Sequence, residues 1–149
     1  MTIRLFFDSS ALFAAAYSSS GGARELIRMA ILGQVQIVIS QDVLDESLRN
    51  LQRKAPQKII ILEQLLEVLE LEIIDSPTPT EAREAEGLVV QKDAIILAAV
   101  KNANVSFFVT LDKKHLLGNP ALVVFTGKSI GSPQEALAFV REKTNQDKT

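Results

Sequence analysis

Acidic residues stand at three points of this sequence where a fold could bring them to one site. Asp8 follows a run of apolar residues in "FFDSSALF", and Asp112 follows another run in "FFVTLDKKHLL". Asp93 opens the apolar stretch "KDAIILAAV". Unpaired carboxylates held close together repel each other, and a hard divalent cation such as Mg²⁺ or Mn²⁺ relieves that repulsion. These residue types therefore suggest a metal or phosphoryl site.

A further acid is available from "SQDVLDESLRNLQRK", which has the spacing of an amphipathic helix. Asp45 and Glu46 fall just outside opposite edges of its apolar arc, and periodicity does not choose between them. Simpler structural roles also fit the other candidates. Asp8 could be a turn or capping residue, Asp112 a turn residue, and Asp93 a helix cap that favours the macrodipole.

The composition of the 149-residue chain argues against several other kinds of site. A net charge of −2 and a pI of about 5.5 disfavour a strongly basic nucleic-acid clamp. The absence of cysteine rules out disulfides, zinc–thiolate sites and thiol nucleophiles. The single histidine, His115, cannot form a multi-histidine metal site, and we interpret it as a structural residue. With no secretory signal and no membrane-length apolar run, we expect a soluble, cytoplasmic protein.

The elements that must position these acids alternate between short apolar runs and longer amphipathic ones. Strands are predicted at residues 3–7, 36–40, 72–75, 106–111 and 121–125. Helices are predicted at residues 10–17, 22–33, 41–54, 57–71, 80–90, 93–103 and 133–143. The alternation predicts a three-layer α/β/α sandwich with a five-stranded parallel sheet. We expect one domain over residues 1–143 and a flexible tail at 144–149. Ligands bind beyond the carboxyl ends of such strands, where Asp8 and Asp112 fall.

Four stretches, taken together and in order, resemble the PIN domain family, the fold of many prokaryotic toxin nucleases and of RNA-processing nucleases. "FFDSSALF" is similar to a first strand that ends in Asp, with a Ser, Thr or Asn two residues on, here Ser10. "ISQDVLDESLRNLQRK" is similar to a helix that bears one Glu, and this alignment selects Glu46 over Asp45. "KDAIILAAV" resembles the third motif, and "FFVTLDKKHLL" resembles the fourth, a strand that ends Thr-x-Asp. The resemblance covers nearly the whole chain.

The resemblance implies a metal-dependent endoribonuclease that cleaves single-stranded RNA with metal-activated water. The implied catalytic residues, which would also hold Mg²⁺ or Mn²⁺, are Asp8, Glu46, Asp93 and Asp112. Ser10 and Thr110 would be hydroxyls that orient these ligands or bind a substrate phosphate. Lys114 stands where many members have a further acid, which favours one tightly held ion over two. The resemblance also suggests the toxin of a toxin–antitoxin pair, with an antitoxin protein as partner.

Expectations about partners come from simpler patterns. Apolar residues at helical spacing would support a homodimer or an antitoxin helix, although core packing explains them equally well. They are Leu26, Ile27, Ala30 and Ile31. Basic residues near the motifs could meet an RNA backbone. They are Arg53, Lys54, Lys92, Lys113 and Lys114. Aromatic residues make up 5% of the chain and lie mostly in apolar runs, so we expect little base stacking.

Three other functions compete with the nuclease. A receiver-like phosphoacceptor domain would use Asp8, Asp75, Thr110 and Lys128. That domain needs a second acid beside the first-strand Asp, where Ser9 and Ser10 stand, and it has one helix, not two, between its second and third strands. A haloacid-dehalogenase-like phosphatase needs an acid at the position of Ser10. A PIN-like module that binds RNA or a partner without cleaving is disfavoured, because folding does not require converging carboxylates.

Overall fold

The computed structural model describes residues 2–147 and confirms the predicted α/β fold with a five-stranded parallel sheet. The strands are β1 (Ile3–Phe7), β2 (Val35–Ser40), β3 (Glu72–Ile74), β4 (Phe107–Val109) and β5 (Ser129–Gly131). Their order in the sheet is β3-β2-β1-β4-β5, and every neighbouring pair is parallel. The strand β1, which ends just before Asp8, therefore lies at the centre of the sheet.

Helices connect the strands and cover the sheet. They are α1 (Ser9–Tyr17), α2 (Gly22–Ile31), α3 (Gln41–Lys54), a 3-10 helix (Pro56–Lys58), α4 (Ile59–Val68), α5 (Pro79–Ala85), α6 (Gln91–Asn102), α7 (Pro120–Thr126) and α8 (Pro133–Asp147). The chain steps outward from β1 to β3 and then returns to β4 and β5 on the other side of β1. Because parallel crossovers are right-handed, this reversal puts α1 to α4 on one face and α5 to α7 on the other.

The strand predicted at residues 121–125 is wrong, because this segment is the helix α7. The Asn119 side chain caps the helix by accepting a hydrogen bond from the Ala121 N–H (3.1 Å), and Pro120 occupies the first helical position. Gly127 ends the helix with a φ of 71°. The apolar run is too short for its period to separate strand from helix, so these flanking residues decide. The fifth strand is instead the three-residue β5.

The C-terminal helix is longer than predicted. α8 continues to Asp147, beyond the end predicted at residue 143 and into the segment expected to be a flexible tail at residues 144–149. The last two residues of that segment lie outside the described part. The hydroxyl of Thr144 donates a hydrogen bond to the Val140 carbonyl (2.8 Å), which ties the first residue of the predicted tail into the helix. Over residues 2–147, no helix has both the length and the apolar character needed to cross a membrane.

Most of the apolar residues of α2, for which a partner and core packing were equally good explanations, are buried within the chain. Leu26 and Ile27 are completely buried and Ala30 is nearly so, because α2 packs against α1, α8 and β2. Of the four residues, Ile31 is the exposed one. Core packing therefore accounts for this pattern, and the face as a whole is not a surface for a second copy or an antitoxin helix.

The register of the central strands determines which residues meet at the carboxyl edge of the sheet. Phe7 at the end of β1 is aligned with Val109 at the end of β4. The Asp8 N–H continues this pairing by donating to the Val109 carbonyl (3.2 Å). Asp8 and Thr110 therefore leave the sheet side by side, although 102 positions separate them in the sequence.

Candidate active site

A cleft of about 510 Å³ opens at the carboxyl ends of β1 and β4. Residues of α1, of α3, of the N-terminal half of α6 and of the segment that follows β4 form its walls. All four acids expected from the sequence line it, namely Asp8, Glu46, Asp93 and Asp112. The fold therefore brings together four carboxylates from four separate parts of the chain.

Asp8 is both the cap of a helix and part of the cleft. Its Oδ1 accepts hydrogen bonds from the Ala11 N–H (2.9 Å), which caps α1, and from the Ser10 hydroxyl (2.6 Å). Its Oδ2 accepts a hydrogen bond from the Thr110 hydroxyl (2.5 Å). The side chain is rigidly held and only 5% exposed. The capping role considered from the sequence is therefore present, and the capping residue also lines the cleft.

Burial makes the Asp8 carboxyl a weaker acid than usual. Desolvation raises its pKa from 3.8 to about 6, and the negative charge of Asp112 adds to this effect. The hydrogen bonds from Ser10, Thr110 and Ala11 stabilise the carboxylate and lower the pKa in part. Ionisation of Asp8 in this buried position therefore costs free energy, and a bound cation would offset that cost.

Asp112 shapes the loop that follows β4. Its Oδ1 accepts hydrogen bonds from the N–H groups of Lys114 (3.1 Å) and His115 (3.0 Å), as in a turn. Its own N–H donates to the Thr110 hydroxyl (3.1 Å). The turn role considered from the sequence is therefore present, and the half-buried carboxylate still borders the cleft.

Asp93 lies in the first turn of α6, but it is not the helix cap. Val90 occupies that position, and its side chain makes no capping hydrogen bond. Desolvation raises the pKa of Asp93, the negative charges of Asp112 and Glu46 raise it further, and the charges of His115 and Lys92 lower it. Asp93 is therefore not the N-cap, although its carboxylate in the first turn favours the macrodipole. It lines the cleft together with the other acids.

The structure separates the two acids of α3 that periodicity left undecided. Glu46 lines the cleft, and its Oε1 lies 3.1 Å from the ammonium nitrogen of Lys92. Asp45 is exposed, and it accepts a hydrogen bond from Gln41 on its own helix (3.0 Å). Glu46 is therefore the acid of α3 that faces the other three.

The two hydroxyl residues lie at different depths. Thr110 is completely buried, and its hydroxyl donates to Asp8 while accepting from the Asp112 N–H. Ser10 lines the cleft, donates to Asp8 and accepts a hydrogen bond from the Leu111 N–H (2.9 Å). Thr110 can therefore orient Asp8 from below, whereas Ser10 can both orient Asp8 and meet a molecule in the cleft.

The donor chemistry of the cleft fits a hard divalent cation that keeps part of its water. A carboxylate has about four acceptor positions, and Asp8 uses three of them within the protein. Over the described residues, no three acidic or histidine side chains are already grouped closely enough to hold an ion. Mg²⁺ suits such a site, since it is usually bound through one or two carboxylates and retains several waters.

Two residues of the competing phosphoacceptor site, Asp75 and Lys128, lie apart from each other in the fold. Asp75 follows β3 and Lys128 precedes β5, and these strands form opposite edges of the sheet. In addition, Lys128 lies at the amino end of its strand, whereas Asp8 lies at the carboxyl end of β1. Because all neighbouring strands are parallel, Lys128 is at the wrong end of the sheet to reach Asp8.

Sequence reasoning missed the aromatic wall of the cleft. Phe13 and Tyr17 lie one turn apart on α1, on the same face as Ser10, and both line the cleft. Asn50 and Lys54 continue the helical row that begins with Glu46 on α3. The available signal was helical spacing, with steps of three and four residues counted from Ser10 on α1 and steps of four residues counted from Glu46 on α3.

Comparison with protein families finds a match over residues 4–114 to the family described as the PIN domain. Comparison with curated proteins gives no match.

Three solved structures share the fold at low sequence identity. PAE2754 from Pyrobaculum aerophilum is 17% identical, with a TM-score of 0.67 over 94% of this chain and 90% of that one. VapBC2 from Rickettsia felis, bound to a DNA fragment from its promoter, is 18% identical. Its TM-score is 0.62 over 87% of this chain and 98% of that one. FitAB bound to the IR36 DNA fragment is 12% identical, with a TM-score of 0.56 over 87% of this chain and 94% of that one.

Proposed function

The chain belongs to the PIN domain family, and on that premise we propose that it is a metal-dependent endoribonuclease that cleaves single-stranded RNA. PIN domains are generally nucleases, so hydrolysis of phosphodiester bonds is the activity that family membership supports. The observation that carries the proposal is the convergence of Asp8, Glu46, Asp93 and Asp112 on one cleft. Two of these acids have raised pKa values, in part because of their neighbours' negative charge.

The four acids would hold Mg²⁺ or Mn²⁺, directly or through water. Asp8 is the most rigid of them, because three hydrogen bonds hold its carboxylate at the end of β1. When bound, the ion would supply an activated water and neutralise charge on the scissile phosphate. No cysteine or histidine nucleophile is required, in keeping with a chain that has no cysteine and one histidine.

Other side chains of the cleft would handle the substrate. Ser10 would contact a phosphate oxygen while its hydroxyl stays within reach of Asp8. Thr110, which is buried, would keep Asp8 in position. Lys92 is exposed and paired with Glu46, so it could exchange this carboxylate for a phosphate when RNA enters. Lys114 replaces a further acid, and we therefore propose one tightly held ion.

We further propose that the protein is the toxin component of a toxin–antitoxin pair, acting in the cytoplasm. The support is the similarity to VapBC2 and FitAB, two toxin–antitoxin complexes whose structures were solved with DNA. An antitoxin would inhibit the nuclease by covering or entering the acidic cleft. Co-expression with the product of a neighbouring small gene, followed by co-purification and loss of cleavage, tests this role.

Cleavage of a labelled single-stranded RNA tests the nuclease itself. We expect cleavage with Mn²⁺ or Mg²⁺, no cleavage with EDTA, and a loss of at least about 100-fold in Asp93→Asn, since even groups that only orient metal ligands cost 10–100-fold. Glu46→Gln should behave in the same way.

Asp45→Asn is the matched control, because it removes a carboxylate from the same helix, one position away and outside the cleft. This variant should cleave like the unaltered protein. Cleavage that survives both EDTA and Asp93→Asn would overturn the mechanism. Metal-independent RNA binding with no cleavage under any condition would favour the non-cleaving module instead.

A further inference from the structure

Next to the acids, the cleft carries a group of residues that the proposed cleavage reaction does not use. The rings of Phe13 and Tyr17 are stacked, with centroids 5.6 Å apart and an interplanar angle of 13°. The ammonium of Lys54 lies 5.8 Å from the centroid of the Phe13 ring, and that of Lys58 lies 5.9 Å from the Tyr17 ring. We call these four residues the aromatic ledge.

The ledge is open to solvent at its outer end. Tyr17 is 54% exposed, although it is a large aromatic residue at the end of a helix whose other face is buried. Lys54 is exposed and Lys58 is half-buried. A flat exposed ring flanked by two cations is the combination that single-stranded nucleic acid uses, because every base has a face that can stack and every phosphate carries a negative charge.

The position of the ledge relative to the acids also suits a nucleic-acid strand. Asp8 caps the first turn of α1 and Tyr17 is its last residue, so nine residues at about 1.5 Å each separate them by roughly 13 Å along the helix. A stacked strand rises about 3.4 Å per nucleotide, so this distance spans about four nucleotides, or fewer if the strand is stretched. Three residues of the ledge, Phe13, Tyr17 and Lys54, line the same cleft as the acids.

The charges of the cleft also favour binding of the strand at the ledge. Four acids at one end of the cleft repel phosphates, and the chain as a whole carries a net charge of −2. Cations beside the path of the strand would offset this repulsion. Lys54, the last residue of α3, and Lys58, in the 3-10 helix that follows, lie beside the two rings of the ledge.

We propose that the aromatic ledge binds a base and the adjoining phosphates of the single-stranded RNA, a few nucleotides from the cleaved bond. The inference rests on the proposed nuclease function and adds a substrate-binding site to it. It revises the expectation that base stacking contributes little. Tyr17 stacks on the base, Phe13 supports the Tyr17 ring, and the two lysines contact phosphates.

The chain offers a direct probe of this site, because Tyr17 is its only tyrosine and it has no tryptophan. Tyrosine fluorescence therefore reports on the ledge alone. Titration with a hexauridylate RNA in EDTA should quench the emission, with a free tyrosine amide correcting for absorption by the RNA. An abasic strand with the same number of phosphates should leave the emission unchanged. Equal quenching by the abasic strand would overturn base stacking.

Binding of a fluorescently labelled strand, followed by anisotropy in EDTA, tests the individual residues. Tyr17→Ala should weaken binding about tenfold or more, in the range measured for loss of a stacked base. Tyr17→Phe keeps the ring and should bind like the unaltered protein. Lys54→Gln should reduce the slope of log affinity against log salt by about 0.7, the value for one phosphate contact.

Lys143→Gln is the matched control, since the Lys143 ammonium lies 5.5 Å from the Phe139 ring on α8, outside the cleft. It should change neither affinity nor salt slope. If Tyr17→Ala binds RNA as tightly as the unaltered protein, the proposal is wrong, and the ledge is open to a protein partner instead.

The two proposals can fail separately, because binding in EDTA is measured apart from cleavage. Quenching and Tyr17-dependent binding without cleavage would refute the nuclease function and retain the ledge as a nucleic-acid site. Cleavage with no effect of Tyr17→Ala on binding would support the nuclease function and refute the ledge as a nucleic-acid site.

Discussion

At the scale of the residue, Asp8 shows how one side chain serves the fold and the site together. Its Oδ1 caps α1, while its Oδ2 accepts a hydrogen bond from the hydroxyl of Thr110, the residue that follows β4. A capping carboxylate on the surface would cost little to ionise. Here burial makes ionisation costly, so the ionised residue lowers the free energy of unfolding at neutral pH. The same burial holds its carboxylate rigidly at the cleft.

Replacement of Asp8 should therefore change how stability depends on pH. The pKa is about 6 in the folded protein and 3.8 as the ordinary value, so the folded state holds its proton more tightly and the free energy of unfolding falls as pH rises from about 4 to 6. One pKa unit corresponds to about 1.4 kcal/mol, so the loss above pH 6 is about 3 kcal/mol. The free energy of unfolding of Asp8→Asn, relative to that of the unaltered protein, should therefore rise by about this amount between pH 4 and pH 8.

Urea unfolding in EDTA at several pH values measures this gain. Asp75→Asn is the control, because it removes an exposed acid that lies outside the cleft. A difference between Asp8→Asn and the unaltered protein that stays constant from pH 4 to pH 8 would contradict the assigned burial effect.

At the scale of the element, the short strand β5 supports the site without contributing a charged group to it. The Gly131 carbonyl accepts a hydrogen bond from the Thr110 N–H (2.9 Å), just beyond the pairing of β4 with β5. A Cβ at Gly131 would lie 2.8 Å from the Phe107 ring and 3.0 Å from the Glu135 side chain. Close packing at this glycine therefore sets the position of Thr110, and Thr110 orients Asp8.

Gly131→Ala should destabilise the protein by about 1–3 kcal/mol, the usual cost of overpacking, and should weaken cleavage because Thr110 is displaced. Gly87→Ala is a matched control, since a Cβ there would meet nothing within 4 Å and no positive φ is required. Urea unfolding should show a near-neutral effect for Gly87→Ala. Equal stability of the two variants would contradict close packing at Gly131, because β5 would then shift to accommodate the added Cβ without cost.

At the scale of the whole molecule, the strand order explains why one cleft collects the acids. The chain leaves β1 in one direction and later returns to pair β4 on its other side, so the ends of β1 and β4 are neighbours. Helices from both faces then begin near the same edge, which brings Glu46 from α3 and Asp93 from α6 to the end of β1. Ligand sites of open α/β sheets form at such reversals of strand order.

A bound metal ion should stabilise the whole fold through these carboxylates. At a concentration 100-fold above its dissociation constant, a ligand adds about 2.7 kcal/mol to the free energy of unfolding. For a domain of this size we expect Mn²⁺ to raise Tm by about 5–10 °C, with reversal by EDTA.

Thermal unfolding followed by circular dichroism measures the shift. The increase should be much smaller in Asp93→Asn and unchanged in the control Asp75→Asn. The same increase in both variants would mean that the ion binds elsewhere, and it would argue against the proposed ligand set.

The sequence by itself determined the features that depend on neighbouring residues. The apolar run before Asp8, the amphipathic helix with Glu46 and the Asp112 turn all follow from contacts within a few positions. The alternation of such segments was sufficient for the α/β class and the parallel sheet. Where a segment was short, local pattern failed, as in α7, whose flanking Asn119 and Gly127 outweighed a strand-like apolar run.

Only the tertiary structure decided the features that join distant segments. Periodicity did not distinguish Asp45 from Glu46 as the acid of the site. The packing of α3 against α1 places Glu46 in the cleft. The same packing brought Lys54 over Phe13 and so formed the aromatic ledge. These contacts depend on helix packing and strand register, which side chains far apart in the sequence set together, and no short stretch of sequence contains that information.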